Sequence, residues 1–175
     1  ATAVVGWYNG HPDFADAAPA LDTERGVVIG NGNVALDVAR ILTADPDRLA
    51  VTSIDLTALA SLRDSAVREV VVAARRGPEN AAFTLPELVG LADGPARVWT
   101  DPAELAALDI PELHDPEQAA KIALLHEISQ RPRPAEPFIR LAFGLTPEQI
   151  LGDDRATGIR FRRTVGGEPV ELSAG

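Results

Sequence analysis

The chain has 175 residues, no cysteine, 46% hydrophobic residues and a net charge of −10. This length predicts one domain with a sizeable core, and the lack of cysteine excludes disulfides, thiolate metal sites and cysteine-ligated iron–sulfur clusters. The acidic charge balance argues against general nucleic-acid binding and against binding to anionic membranes.

Residues 1–25 lead to the first predicted strand and form a predicted surface arm. An aromatic pair, Trp7 and Tyr8, runs directly into the turn-forming residues 9–12 (Asn-Gly-His-Pro). A buried aromatic side chain usually anchors a segment, so we favour anchoring of this arm over direct contact with a ligand.

The central motif runs from Gly26 to Leu42 and reads GVVIGNGNVALDVARIL. Its apolar run 27–29 predicts a buried strand, the glycine turn (residues 30–32, Gly-Asn-Gly) follows, and the residues after the turn have helical spacing. Gly30, Gly32 and Ala35 fill the G-x-G-x-x-[G/A] pattern of a dinucleotide-binding turn. One face of the helix is predicted to be apolar, formed by Val34, Ala35, Val38, Ile41 and Leu42.

Each position of this pattern has a physical reason. Gly30 allows a backbone conformation that a side chain would forbid, and Gly32 lets a pyrophosphate approach the main chain because it has no Cβ. Ala35 lets the helix pack closely on the strand, and the helix N-terminus near Asn33 offers unpaired N–H groups to a phosphate. The alternative is that the glycines only turn the chain. The strand before the turn and the helix after it favour nucleotide binding.

A second strand is predicted over 67–74 (VREVVVAA), because this stretch is apolar and rich in β-branched residues. Before it, a helix is predicted over 56–65, and its apolar face is expected to consist of Leu56, Leu59, Ala60 and Leu62. A strand, a helical connection and a second strand form a βαβ unit, which predicts a parallel sheet covered by helices.

The residues after the second strand distinguish NAD from NADP. NAD-binding domains usually place Asp or Glu there, where the carboxylate accepts a hydrogen bond from the ribose 2′-OH. This chain instead has Arg75-Arg76-Gly77-Pro78, the arginine loop (residues 75–78). Two guanidinium groups suit a 2′-phosphate through charge-assisted hydrogen bonds, so NADP is predicted. The alternative is a solvated basic pair at the end of a strand.

A further helix is predicted over 83–91, with Thr84 as N-cap and Pro86 in the first turn. Glu87 in this first turn has two interpretations. It is either a partner of the helix dipole, or a carboxylate that orients an arginine or accepts a hydrogen bond from a ribose hydroxyl. The residues alone leave both interpretations open.

The rest of the chain is predicted to contain a short strand, two helices and a C-terminal group of antiparallel strands. The ranges are 97–100 for the short strand, 103–108 and 116–130 for the helices, 138–145, 158–164 and 169–172 for the antiparallel strands, and 166–167 for a glycine turn. The predicted fold class is therefore α/β, a Rossmann-like parallel sheet with flanking helices plus a C-terminal antiparallel β-hairpin or meander.

The segment 6–9 (Gly-Trp-Tyr-Asn), the segment GNGNVALDVARIL, and the arginine loop followed by residues 81–84 (Ala-Ala-Phe-Thr) and Glu87 resemble adrenodoxin reductase-type ferredoxin–NADP⁺ reductases. The similarity follows in order along most of the chain and is most specific from Gly26 to Leu88. The family consists of two-domain flavoproteins, in which NADPH passes hydride to FAD and FAD passes single electrons to a ferredoxin. The resemblance implies an electron-transfer oxidoreductase, with NADP bound by this chain and FAD bound only in the full-length protein.

The resemblance also implies roles for single residues and for the two parts of the chain. Asn31, Gly32, Asn33 and Val34 are expected at the NADP pyrophosphate, and Arg75, Arg76 and Glu87 around the 2′-phosphorylated ribose. Residues 1–25 become the linker from a missing FAD domain, and residues 26–175 an NADP-binding domain that is incomplete at its C-terminus. The implied partners are this FAD domain and a ferredoxin or similar iron–sulfur protein.

Two departures from the family pattern bear on function. An Arg-Glu pair, linked in the family to ferredoxin docking and to the region near the flavin, is replaced here by Val89-Gly90, so neither role is assigned. No FAD fingerprint is present, so the chain alone is expected to be inactive. Two alternatives stay open, a stand-alone NADP(H)-binding module and the NADP domain of a glutamate synthase small-subunit type reductase.

Other kinds of chemistry have no support in the sequence. No nucleophile or acid–base pair is apparent, which fits hydride transfer, because the cofactors carry that chemistry. His11, His114 and His126 show no ligand spacing, so no metal site is expected. There is no apolar run of membrane-spanning length and no signal peptide, so the predicted location is the cytoplasm.

Overall fold

The computed structural model describes residues 1–174 except 109, 111, 113 and 136. The helices are α1 (Thr2–Tyr8), α2 (Asn33–Thr43), α3 (Pro46–Leu49), α4 (Leu56–Arg63), α5 (Leu85–Asp93), α6 (Pro102–Ala106) and α7 (Pro116–Gln130). The strands are β1 (Arg25–Ile29), β2 (Glu69–Ala73), β3 (Val98–Trp99), β4 (Phe138–Ala142), β5 (Leu145–Leu151), β6 (Gly158–Arg163) and β7 (Pro169–Ser173). Among the described helices, none has the length and apolar character needed to cross a membrane.

A parallel sheet with the strand order β1-β2-β4-β3 lies at the centre of the molecule. Its strand β2 is buried along its whole length, which explains why the sequence there is a continuous β-branched run. Alternate residues of each strand face opposite sides of the sheet. One side, including Val70, Val72, Ile139 and Leu141, packs into a core with residues of α2, α5 and α7.

The second sheet is antiparallel, with the order β5-β6-β7, and it covers the other side of the parallel sheet. Val71, Ala73 and Ala142 of the parallel sheet contact Phe161 and Leu172 of the antiparallel sheet in one buried cluster. The molecule therefore has three layers, helices, parallel sheet and antiparallel sheet. The predicted fold class, a Rossmann-like parallel sheet plus a C-terminal antiparallel meander, is confirmed.

The prediction of one antiparallel strand over 138–145 is wrong. Residues 138–142 form β4, which pairs in parallel with β2 on one side and with β3 on the other. The chain then turns at Gly144, whose φ is +67°, and begins β5, which was not predicted. The alternation of side chains along 138–145 is the same for either strand direction, because direction depends on which strand the segment pairs with.

Two helices, α1 and α3, were not predicted, and the buried face of α4 differs from its prediction. The arm contains α1, which was not predicted, and Trp7 on this helix is only 3% exposed and packs with Leu59 and Leu62 of α4, so the predicted anchoring is confirmed for this residue. On α4 the expected apolar face is partly wrong, because Leu56 (79% exposed) and Ala60 are exposed while Ala58 is buried. Leu56 is the first residue of α4 and follows the N-cap Asp55, so it lies at the exposed end of the helix.

A network of ion pairs connects the two sheets. The carboxylate of Glu69, at the buried start of β2, accepts a hydrogen bond of 2.7 Å from Nε of Arg25 and lies 3.8 Å from Nη1 of Arg140. Arg140 of β4 and Arg163 of β6 both donate to Glu104 of α6, over 2.6 Å and 3.1 Å. The buried charges of Glu69 and Arg140 thus have partners, and the partly buried pair of Glu104 with Arg163 connects the end of β6 to them.

Replacing Phe161 with alanine should lower the free energy of unfolding by about 3–5 kcal/mol, because it leaves a cavity between the sheets. The Phe161 ring is 0% exposed, whereas Ile150 on the neighbouring strand β5 is 65% exposed. The matched variant Ile150→Ala should change the free energy of unfolding by no more than about 0.5 kcal/mol. Urea denaturation followed by circular dichroism measures both values, and similar losses in the two variants would contradict this packing.

Candidate nucleotide-binding site

Parallel pairing of β1 and β2 places the glycine turn beside the arginine loop. Ile29 and Ala73, the last residues of the two strands, are direct partners in the sheet. The N–H of Gly30 donates to the carbonyl of Ala73 over 2.8 Å, so the pairing continues into the turn. The turn and the loop therefore leave the sheet at the same edge, which is where open α/β sheets bind their ligands.

Glycine suits the two positions of the turn for different structural reasons. Gly30 has a φ of +102°, a conformation that residues with a side chain rarely adopt. Gly32 has an ordinary φ of −79°, and a Cβ built on it meets no heavy atom within 4 Å. The space in front of Gly32 is therefore open, as the approach of a ligand to the main chain requires.

The N-terminus of α2 has no side-chain cap. Gly32 is its N-cap residue and provides no side-chain acceptor, whereas Asp55, Thr84, Asp101 and Asp115 each cap the N-terminus of a later helix with their side chains. The first N–H groups of a helix need acceptors, and together with the helix dipole they favour an anion. A phosphate at this position would supply the missing acceptors.

The buried face of α2 differs in part from the predicted apolar face. Ala35 is buried at 7% exposure, in the close contact with the sheet that its small size predicts, but Val34 is 50% exposed. Leu36 and Ala39 are fully buried, although neither belongs to the predicted face. The buried face of α2 is therefore broader than predicted, because Leu36 and Ala39 pack in the core with the parallel sheet, while Ile41 and Leu42 pack against residues of α1 and α4.

The side chains of Asn31 and Asn33 connect the glycine turn to the segment before α5. Oδ1 of Asn31 accepts from the N–H of Ala82 over 3.4 Å, and Oδ1 of Asn33 accepts from the N–H of Thr84 over 3.3 Å. Lys121 of α7 donates to the carbonyl of Phe83 between them, over 3.3 Å. The backbone of 82–84 is thereby fixed beside the turn, and the amide side chains of both asparagines are already engaged.

Arg75 and Arg76 are both exposed at the end of β2. Neither guanidinium forms an ion pair with the described residues, although the chain carries 26 acidic residues. Their main chain is ordered by contacts with the antiparallel sheet. Thr164 Oγ1 donates to the carbonyl of Arg75 over 2.9 Å, and the N–H of Gly144 donates to the carbonyl of Arg76 over 3.2 Å.

Glu87 lies in the first turn of α5, as predicted, and its N–H donates to Thr84 Oγ1 over 3.4 Å. Its carboxylate pairs with Arg40 of α2, which also lies 3.4 Å from Asp37. The structure thus supports the interpretation in which Glu87 orients an arginine. Burial raises the pKa of the neighbouring Tyr8 hydroxyl, with a further contribution from Asp37.

Sequence reasoning missed Arg40 and Thr164. Arg40 and Glu87 are 47 residues apart, and Thr164 and Arg75 are 89 residues apart. Neither pair has a local signal, because the contacts depend on how whole elements pack. No cluster of three or more metal-ligating side chains was found within the described residues.

No protein-family model matches this sequence. A probable ferredoxin/ferredoxin–NADP reductase of Mycobacterium bovis is 51% identical over 181 residues, which is 100% of this chain and 31% of that protein. The mitochondrial NADPH:adrenodoxin oxidoreductase of Bos taurus is 40% identical over 178 residues, covering 94% of this chain and 36% of that protein. The chain spans about a third of the length of these curated relatives.

A solved structure of Mycobacterium tuberculosis FprA in complex with NADPH superposes on the chain with a TM-score of 0.85 and 41% sequence identity. The match covers 98% of this chain and 42% of that one, so it includes both sheets and the helices around them. By sequence and by fold, the chain is therefore homologous to a part of the ferredoxin–NADP⁺ reductases of the adrenodoxin reductase type.

Proposed function

We propose that the chain is the NADP(H)-binding domain of an FAD-dependent ferredoxin–NADP⁺ reductase. The observation that carries this proposal is that two features that attract an anion lie at one edge of the sheet. There the uncapped N-terminus of α2 lies beside an arginine pair without carboxylate partners among the described residues. A dinucleotide with an extra phosphate on its ribose matches both features.

Within this proposal each predicted residue has a defined task. The pyrophosphate lies at Gly32 and at the N–H groups of Asn33 and Val34, while Asn31 and Asn33 use their side chains to hold the segment 82–84. Gly30 and Ala35 set the geometry of the turn and the packing of α2. Arg75 and Arg76 bind the 2′-phosphate, and Glu87, held by Arg40, lies near the ribose.

The chemistry of hydride transfer belongs to the bound nicotinamide and to a flavin. The residues of this chain bind and orient the nucleotide, and such orientation supplies much of the rate in a transfer between two cofactors. In this proposal residues 1–25 connect to an FAD domain elsewhere in the full-length protein, and 26–175 form the NADP domain. Single electrons then pass from the flavin to a ferredoxin or similar iron–sulfur protein, in the cytoplasm.

Replacing both Arg75 and Arg76 with alanine should weaken NADP⁺ binding at least tenfold and leave NAD⁺ binding little changed. Each charge-assisted hydrogen bond to the 2′-phosphate is worth about 1.5–3 kcal/mol, and NAD⁺ lacks this phosphate. Titration calorimetry with both nucleotides measures the effect. The control variant Arg48→Ala/Arg63→Ala removes the same charge from exposed positions on α3 and α4 and should leave both affinities unchanged. Equal losses for the two nucleotides in the first variant would contradict the assignment.

The variant Gly32→Val should lose binding of both nucleotides while the domain stays folded. The open space at Gly32 accommodates the new side chain, which then blocks the approach of the pyrophosphate. Gly90 inside α5 also has open space at its Cβ position, so Gly90→Val is the matched control and should still bind. Circular dichroism and titration calorimetry are compared for the two variants. Full affinity in a folded Gly32→Val protein would mean that this glycine only turns the chain.

The purified chain should bind NADP⁺ but should be colourless and show no NADPH-dependent diaphorase activity, even with added FAD. FAD in this class of protein needs a glycine-rich turn of its own with an acidic ribose partner, and this chain has a single G-x-G-x-x-[G/A] turn. Absorbance at flavin wavelengths and turnover of an artificial electron acceptor measure the two properties, with NADP⁺ titration of the same preparation as the control. A yellow preparation with stoichiometric flavin would contradict the proposal that this chain binds NADP(H) but not FAD.

A further inference from the structure

One end of the antiparallel sheet, with the residues that directly adjoin it, bonds to the main chain at the start of the arginine loop. Three successive carbonyls, those of residues 74–76, accept hydrogen bonds from Leu145 at the start of β5, from Gly144 just before β5 and from Thr164 just after β6. The N–H of Leu145 donates to Ala74 over 2.9 Å, Thr164 Oγ1 to Arg75 over 2.9 Å, and the N–H of Gly144 to Arg76 over 3.2 Å. These contacts order the loop that carries the two arginines. The antiparallel sheet itself has no role in the proposed function.

Thr164 is the side chain in this set, and its own position is fixed. It directly follows Arg163, the last residue of β6, whose guanidinium donates to Glu104 over 3.1 Å. Its N–H donates to the carbonyl of Gly144 over 2.8 Å, so it bonds at once to the turn before β5 and to the loop. The main chain of Thr164 is therefore held at the end of β6 and beside the start of β5, and from this position its hydroxyl donates to the Arg75 carbonyl.

An ordered loop matters because the loop is exposed and arginine side chains lose much rotamer freedom on binding. Ordering the main chain of a loop costs conformational entropy, so a ligand that must itself order the loop binds less tightly. A loop that is already held presents both guanidinium groups to a 2′-phosphate without this loss. The effect is specific for the phosphorylated ribose, because the pyrophosphate contacts lie at the glycine turn.

We propose that Thr164 is a positioning residue for cofactor selection, which acts by holding the Arg75 carbonyl so that the arginine pair is ready for the 2′-phosphate. The inference rests on the proposed function and assigns the antiparallel sheet a role in it. Thr164 itself does not touch the nucleotide.

The test removes the hydroxyl and keeps the shape of the side chain. Thr164→Val deletes the donor, Thr164→Ser retains it, and Thr146→Val makes the same substitution on β5 at a residue that pairs with Arg162 rather than contacting the loop. Gly144 is unsuitable, since a Cβ there would lie 2.8 Å from Leu108 and its φ is +67°. For each variant of the full 175-residue chain, titration calorimetry gives the Kd for NADP⁺ and for NAD⁺, and thermal melting reports the fold.

Thr164→Val should raise the Kd for NADP⁺ about two- to tenfold, the range expected for one neutral hydrogen bond, with the Kd for NAD⁺ and the melting temperature nearly unchanged. Thr164→Ser and Thr146→Val should bind both nucleotides like the parent. An unchanged ratio of the two Kd values in Thr164→Val, or a loss that serine does not restore, would overturn the positioning role. A parent chain that shows no preference for NADP⁺ would instead overturn the proposed function on which the inference rests.

Discussion

The parallel pairing of β1 and β2 is the constraint on which the rest of the site depends. It brings the end of one strand, with its glycine turn, to the same edge as the end of the next strand, with its arginine loop. The pairing is strongly specified, because β2 is buried on both faces and a shift by one residue would move Glu69 into an apolar core. The glycine turn and the arginine loop are therefore adjacent for a reason that is independent of any ligand.

Each face of the sheet then supports one half of the site. On the helical face, α2 provides its N-terminus without a side-chain cap, and Asn31 of the turn and Asn33 of α2 hold the segment before α5. On the other face, the antiparallel sheet bonds to the main chain of the arginine loop. Phe161, which is buried between the sheets, and Thr164 are three residues apart, so the same segment of chain packs the two sheets together and contacts the arginine loop.

Sequence reasoning succeeded where the signal is local and failed where it depends on pairing. The glycine turn, the Thr84 cap and the bounds of α7 all follow from residue types within one or two turns of chain, and all three agree with the structure. The direction of β4 depends on its partners β2 and β3, which no alternation of side chains encodes. Likewise, nothing near Glu87 in the sequence indicates that Arg40 would face it. The assignment of single residues to the nucleotide stays a prediction.

The charge of the whole chain and the charge of the site act in opposite directions. A net charge of −10 repels an anionic nucleotide, but at physiological ionic strength the screening length is about 8 Å, so groups close to the ligand dominate. There the carboxylate of Glu87 would be unfavourable beside a phosphorylated ribose if it stood alone. Its pairing with Arg40 offsets that charge only in part, because Arg40 also pairs with Asp37, and since the side chains are partly exposed the pair adds little to folding stability. In the proposed site, Glu87 therefore opposes the charge of the two arginines less than an unpaired carboxylate would.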